Sequence, residues 1–273
     1  MNYTPLRYPG GKAKIYSQIC DIISLNYDEP PVYCEPFAGG FGLGMKLLLK
    51  SKVSKVYLND LDYSIYSFWY SVLHNTEEFI AMIDQTEITI NEWYNQKAIY
   101  LSTTDKYSIL QKGFATFFLN RSNRSGIMKA GPIGGYSQSG SYGLDCRFNK
   151  ATLKTTILNL AKRKDDIIIS NFDCKTFLLR IDNDIDNIFF FLDPPYVVKG
   201  KELYKNSFTK EDHCALGKIV TNLKSKWYMT YDDTPLIRDI YKDFEIRTYD
   251  ISYTVQTKKR ASELLICSKN LKI

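Results

Sequence analysis

The stretch "IFFFLDPPYVV", Ile188 to Val198, decides how the chain is read. Five apolar residues, β-branched or aromatic for the most part, run without alternation and then stop at an acid, two prolines and a tyrosine. A continuous apolar run predicts a strand buried on both faces, as in a parallel sheet covered by helices. Similar runs recur as "PVYCEP", "KVYLND", "DIIISNF" and "KWYMTYDD", with helical patterns between them. Near the end, "FEIRTYDISYTV" and "SELLICSK" flank the polar "QTKKRA" and predict an antiparallel hairpin closing the sheet. The fold expected is therefore α/β, a mostly parallel Rossmann-like sheet with an antiparallel edge.

The strand rhythm stops between about Asp62 and Asp165. "DYSIYSFWYSVLHNTEEFIAMID", "NEWYNQKAIYL" and "GFATFFLN" have helical spacing, and a Gly/Ser-rich polar stretch, residues 121–148, follows. This predicts an inserted, largely helical module at 62–165 between two parts of a catalytic domain, 1–61 and 166–273. From Lys112 to Lys164 the only acid is Asp145, against ten lysines and arginines. Such a stretch is either a solvated face or the footprint of a polyanion.

Composition narrows the chemistry. With 273 residues, 44% apolar content and 24% charged residues, there is enough apolar material for a large core. No apolar run reaches membrane-spanning length, and the N-terminus lacks a signal-peptide core, so a cytoplasmic protein is expected. Six scattered cysteines and two histidines give no pattern for a disulfide frame, a metal site or a Ser-His-Asp triad. No bound metal is expected.

Three motifs carry the chemistry. In "EPFAGGFGLGMKLLLK", Glu35 to Lys50, a strand ends in a Gly-rich turn and a helix begins, which lets backbone approach a ligand. Asp60 ends the next strand, where an acid binds ribose hydroxyls or caps a helix. Asp193-Pro194-Pro195-Tyr196 ends the strand quoted above. Proline removes backbone donors, so a carboxylate and a neighbouring carbonyl can together accept both hydrogens of an amino group. Tyr196 offers a flat face on which a base gains about 1–3 kcal/mol by stacking. The bland alternative is a strand end with a capped turn.

With "DPPY", "PFAGG" and "RYPGGK" (Arg7 to Lys12), the sequence resembles the Dam-like, D12 class, alpha-type site-specific DNA adenine N6-methyltransferases over essentially its whole length. The resemblance implies an S-adenosylmethionine-binding fold and methyl transfer to the N6 of a flipped-out adenine in duplex DNA. It implies catalysis by Asp193, Pro194, Pro195 and Tyr196. Cofactor contacts are implied for Tyr8, Lys12, Pro36, Phe37, Gly39, Gly40, Asp60 and Asp193, with Phe172 and Asp173 of "SNFD" at the adenine. DNA contacts are implied for Asn120, Arg121, Arg124 and Lys129, with a capped and solvated helix end the lesser alternative for Asn120 and Arg121. Lys258, Lys259 and Arg260 form either a solvated turn or a phosphate contact. The partners implied are double-stranded DNA and a cognate restriction endonuclease, with the chain a monomer. Alternatives are a methyltransferase acting on cytosine N4 or RNA adenine, and a catalytically silent DNA-binding relative.

Overall fold

A computed structural model describes residues 3–8, 11–198, 208–252 and 260–273. Of the residues singled out above, Pro9, Gly10, Lys258 and Lys259 lie outside this set. Seven strands form one sheet: β1 (Val32–Glu35), β2 (Lys55–Asn59), β3 (Ile167–Ser170), β4 (Ile188–Leu192), β5 (Lys226–Asp232), β6 (Glu245–Ser252) and β7 (Arg260–Cys267). Their order is β3-β2-β1-β4-β5-β7-β6. The first five are parallel, and β7 runs antiparallel to both β5 and β6. The expected hairpin exists, with its second strand, rather than its first, paired to the parallel sheet.

Both faces of the sheet are covered. Alternate residues point to opposite faces of a strand, and the core divides accordingly. Tyr33, Phe189, Phe191 and Tyr228 belong to one buried cluster; Cys34, Ile188, Phe190, Leu192, Trp227 and Met229 belong to the other. All five residues of β4 are buried, which explains why its sequence is apolar without alternation. One layer contains α1 (Tyr16–Asn26) and α2 (Gly42–Leu49); the other contains α8 (Cys174–Asp184), α9 (Lys210–Val220) and α10 (Pro235–Ile240).

Between β2 and β3 come α3 (Tyr63–His74), α4 (Thr76–Gln85), α5 (Ile90–Leu101), α6 (Ile109–Ser122) and α7 (Lys150–Ala161). These helices are not insulated from the sheet. Phe68, Trp69, Phe79, Phe114, Phe117 and Phe118 join the cluster that holds Tyr33 and Leu58. Helix α6 is apolar around most of its circumference because neighbours enclose it. At Gly113 a Cβ would stand 2.4 Å from the Ser67 carbonyl oxygen, so this glycine permits the close approach of α6 to α3. No described helix is long and apolar enough to cross a membrane. All six cysteines are unpaired; Cys34, Cys174 and Cys267 are buried and Cys146 is exposed.

The strand order places the site. From β1 the chain moves outward to β2 and β3, then returns to the other side of β1 with β4 and β5. Adjacent β1 and β4 therefore form the switch point, and the crevice at their carboxyl ends is where open α/β sheets bind ligands. The Gly-rich turn leaves β1 there and Asp193 leaves β4. Because Phe190 fills the centre of the sheet's second face, Phe190→Ala should cost about 3–5 kcal/mol in chemical denaturation. A loss below about 1 kcal/mol would contradict this packing.

Candidate active site

Asp193 is the hub of the crevice. Lys12 donates from Nζ to its Oδ2 at 2.8 Å, and Thr230 donates from Oγ1 to its Oδ1 at 2.7 Å. Lys12 also lies 3.9 Å from Glu263 and 5.3 Å from the centre of the Tyr196 ring. Among the described residues nothing donates to the Pro194 carbonyl. A carboxylate with remaining lone pairs thus stands one residue from an unoccupied acceptor. Tyr196 is only 9% exposed, leans on Tyr231 at 6.0 Å, and makes no hydrogen bond from its hydroxyl, with Thr230 and Glu263 its polar neighbours. Burial, reinforced by the charges of Asp193 and Glu263, pushes that phenol well above its ordinary pKa.

The glycine turn is braced from several sides. Gly39 has φ +47°, where a Cβ would also lie 2.6 Å from the Tyr8 ring; at Gly40 it would lie 2.7 Å from Tyr8 Cβ. Tyr8 therefore packs directly against backbone that only glycine can present. The Gly39 N–H donates to Asp60 Oδ2 at 2.8 Å, and the Gly39 carbonyl accepts from Trp69 Nε1 at 3.0 Å. Asp60 Oδ1 accepts from the Asp62 N–H at 2.9 Å. Burial raises the Asp60 pKa to about 7 against the pull of these two amides. Asp60 is thus a brace of the glycine turn as it stands.

On the far side of the turn, buried Asn59 ties the loops together. It donates to the carbonyls of Pro36 at 3.1 Å and Phe172 at 3.0 Å, and accepts from the Phe172 N–H at 2.9 Å. Phe172 itself is 43% exposed, with the Arg180 guanidinium 5.1 Å from its ring. Asp173 caps α8 by accepting from the Lys175 N–H at 3.0 Å. Phe37 meets Phe208 edge-on at 5.9 Å. These residues outline a crevice with an exposed aromatic face, backbone glycine and a carboxylate, a donor set that fits a nucleoside-bearing cofactor.

The expected DNA residues divide. Asn120 is buried: it accepts from the Arg7 N–H at 2.7 Å and donates to the carbonyls of Arg7 at 2.8 Å and Gly126 at 3.0 Å. It clamps the N-terminal segment to α6 and leaves no polar atom for DNA. Gly126, at φ +75°, would place a Cβ 2.6 Å from the Arg7 carbonyl, so it belongs to the same clamp. Arg121 donates from Nε to the Arg147 carbonyl at 2.7 Å. Burial and the charges of Arg7 and Arg147 lower its pKa to about 10. Arg124 and Lys129 are exposed. The rest of the basic run is partly structural: Lys150 caps the carbonyls of Asp84 and Thr86, Lys154 pairs with Asp84 at 2.6 Å, and Arg163 pairs with Asp166 at 2.7 Å.

Asn59, Thr230, Asp232, Glu263, Arg7 and Arg147 were not singled out by motif. Arg7 opens "RYPGGK" but was given no role there, and the others are brought in by strand register and loop packing.

The family model for D12 class N6 adenine-specific DNA methyltransferases matches residues 8–255. A type II methyltransferase, M.MjaIII, from Methanocaldococcus jannaschii is 27% identical over 223 residues, covering 76% of this chain and 73% of its own length. Among solved structures, an S-adenosylmethionine-dependent methyltransferase from Agrobacterium tumefaciens aligns with TM-score 0.40 and 10% identity, over 93% of this chain and 60% of that one. Precorrin-6y C5,15-methyltransferase from Geobacter metallireducens aligns with TM-score 0.35 and 9% identity, over 95% and 92%.

Behind the crevice, Glu35 at the end of β1 is buried and accepts from the Tyr33 hydroxyl at 2.7 Å. Burial, against the pull of that hydroxyl, raises its pKa from 4.5 to about 8. A carboxyl with a raised folded pKa stabilises the fold while protonated, and that contribution declines as pH rises from 4.5 through 8. The decline is at most about 1.4 kcal/mol per pH unit. Glu35→Gln keeps an acceptor for Tyr33 and should flatten stability against pH in this window, read by denaturant melts. An unchanged slope would contradict the buried, protonated state.

Proposed function

The chain belongs to the D12 class N6 adenine-specific DNA methyltransferase family, and from that premise we propose that it methylates the exocyclic N6 of an adenine flipped out of duplex DNA. The observation that carries this reading is the pair formed by the Asp193 carboxylate and the undonated Pro194 carbonyl at the carboxyl end of β4. The N6 lone pair is delocalised into the ring and is a poor nucleophile. Two acceptors on its two hydrogens favour a pyramidal nitrogen with the lone pair directed outward, and they stabilise the positive charge that develops on it. Thr230 and Lys12 fix the Asp193 carboxylate in orientation. The target amine lies inside a stacked duplex, so it must leave the stack, and the Tyr196 ring beside Asp193 is the surface proposed to receive it.

The Gly39–Gly40 turn, Tyr8, Lys12, Asp60 and Phe172 would hold S-adenosylmethionine, with Pro36 and Phe37 shaping the turn. When bound, it supplies an electrophilic methyl group. Asp173 takes part through the helix it caps. The helical segment 62–165 is the target-recognition module in this reading, built onto the core of the catalytic part.

Duplex DNA as substrate is supported by the arginines. Arg163, Arg238 and Arg247 pair with carboxylates, whereas Arg7, Arg121, Arg124 and Arg147 have no carboxylate partner among the described residues. Burial and then the charge of Arg147 lower the pKa of Arg7, and burial and then the charges of Arg7 and Arg147 lower that of Arg121, a cost that a phosphate would relieve. Arg147→Gln should weaken binding to any duplex sequence to a similar degree and lower the slope of log K against log salt by about 1. An unaltered slope would remove Arg147 from the phosphate surface.

The reading as a whole is tested with labelled S-adenosylmethionine and duplex DNA. Methyl incorporation is expected for the native chain and not for Asp193→Ala, which should still bind the duplex. Equal loss of transfer and binding in Asp193→Ala would make Asp193 a structural residue instead.

A further inference from the structure

The Pro-Pro turn has a mechanical weakness. Pro194 and Pro195 have no N–H, so the residues that carry the proposed acceptor and lead into Tyr196 cannot be tied down through their own amides. The tie must come from amides that follow. Val197 and Val198 both donate to one side chain: the Val197 N–H to Asp232 Oδ1 at 3.0 Å, and the Val198 N–H to Asp232 Oδ2 at 2.8 Å.

Asp232 ends β5, two residues after Thr230. Strand alternation puts residues 230 and 232 on the same side, while Tyr231 points into the second core cluster. One edge of β5 therefore grips both ends of the motif, Thr230 at the Asp193 carboxylate and Asp232 just past Tyr196. Asp232 is 9% exposed and has no cation within ion-pair distance among the described residues. Its neighbour Asp233 pairs with Arg238 at 2.6 Å. A carboxylate that is almost buried is costly unless its oxygens are met, and here two backbone amides of the turn meet them.

We propose that Asp232 is a positioning residue for methyl transfer, fixing the Pro194 carbonyl and the Tyr196 ring relative to Asp193 by accepting both amides that follow the turn. This rests on reading the turn as the pocket for the amine. Asparagine replaces one of the two acceptor oxygens by an NH2 donor that would face a backbone N–H, so it cannot keep this one-oxygen-per-amide arrangement, whereas glutamate can from one methylene further away.

The test compares Asp232→Asn and Asp232→Glu with the native chain, each assayed well below its own Tm. Asp232→Asn should lower kcat roughly 10- to 100-fold, with Kd for S-adenosylmethionine and for the duplex unchanged within about twofold, because Asp232 is among neither the residues proposed to hold the cofactor nor those proposed to meet the duplex. Asp232→Glu should recover part of the loss. Amide exchange followed by mass spectrometry over residues 196–198 should become about tenfold faster in Asp232→Asn. Native kcat in Asp232→Asn, proportional loss of both binding affinities, or unchanged exchange would each overturn the proposal. If Asp232→Asn does not fold, a folded Asp232→Glu with native kcat and native exchange would overturn it. A native chain that transfers no methyl group refutes the amine-pocket reading instead, and the exchange comparison still decides whether Asp232 holds the turn.

Discussion

A carboxylate at the mouth of a buried strand persists only if donors meet it, and the ion pair between Asp193 and Lys12 is the contact on which the site depends. Lys12 comes from a segment that belongs to no strand of the sheet. That segment is held by Tyr8 against the glycine turn and by Asn120 and Gly126 around Arg7. The placement of Lys12 against the hub therefore depends on α6, whose Asn120 comes 113 positions later in the chain than the Arg7 it holds. This also explains why helices inserted between β2 and β3 share a core with the sheet. A loosely tethered module could not hold the N-terminal arm to the precision of an ion pair.

The strands and the two turns that leave β1 and β4 were legible in the sequence because their signals are local. A fully buried strand must be apolar at every position, and β4 is; a tight glycine turn must accommodate positive φ and close packing, and Gly39 does. The supporting residues were not legible. Thr230 and Asp232 reach the turn only because β5 pairs with β4 in the register Leu192↔Met229, and nothing in "KWYMTYDD" states that register. Asn120 was assigned to DNA only through the family resemblance, and its side chain is spent on Arg7 and Gly126. Asp173 followed the ordinary rule for an acid just before a helix.

The basic run also needed the fold to be interpreted. Several of its members neutralise helix ends or nearby acids, as Lys150, Lys154 and Arg163 do. Arg7, Arg121 and Arg147, none with a carboxylate partner among the described residues, gather where the N-terminal arm meets the segment between β2 and β3. In the proposed reading that junction joins the cofactor side of the crevice to the surface for the duplex, so Arg7 and Lys12, five residues apart, would face the two partners of one reaction.

The identity of the modified atom tests the central claim most directly. Duplex DNA treated with the protein and S-adenosylmethionine is digested to nucleosides, and the methylated product is identified by mass spectrometry against standards. Two acceptors gripping a flipped adenine should give N6-methyldeoxyadenosine as the product. N4-methyldeoxycytidine, or no methylated nucleoside from any duplex, would contradict it.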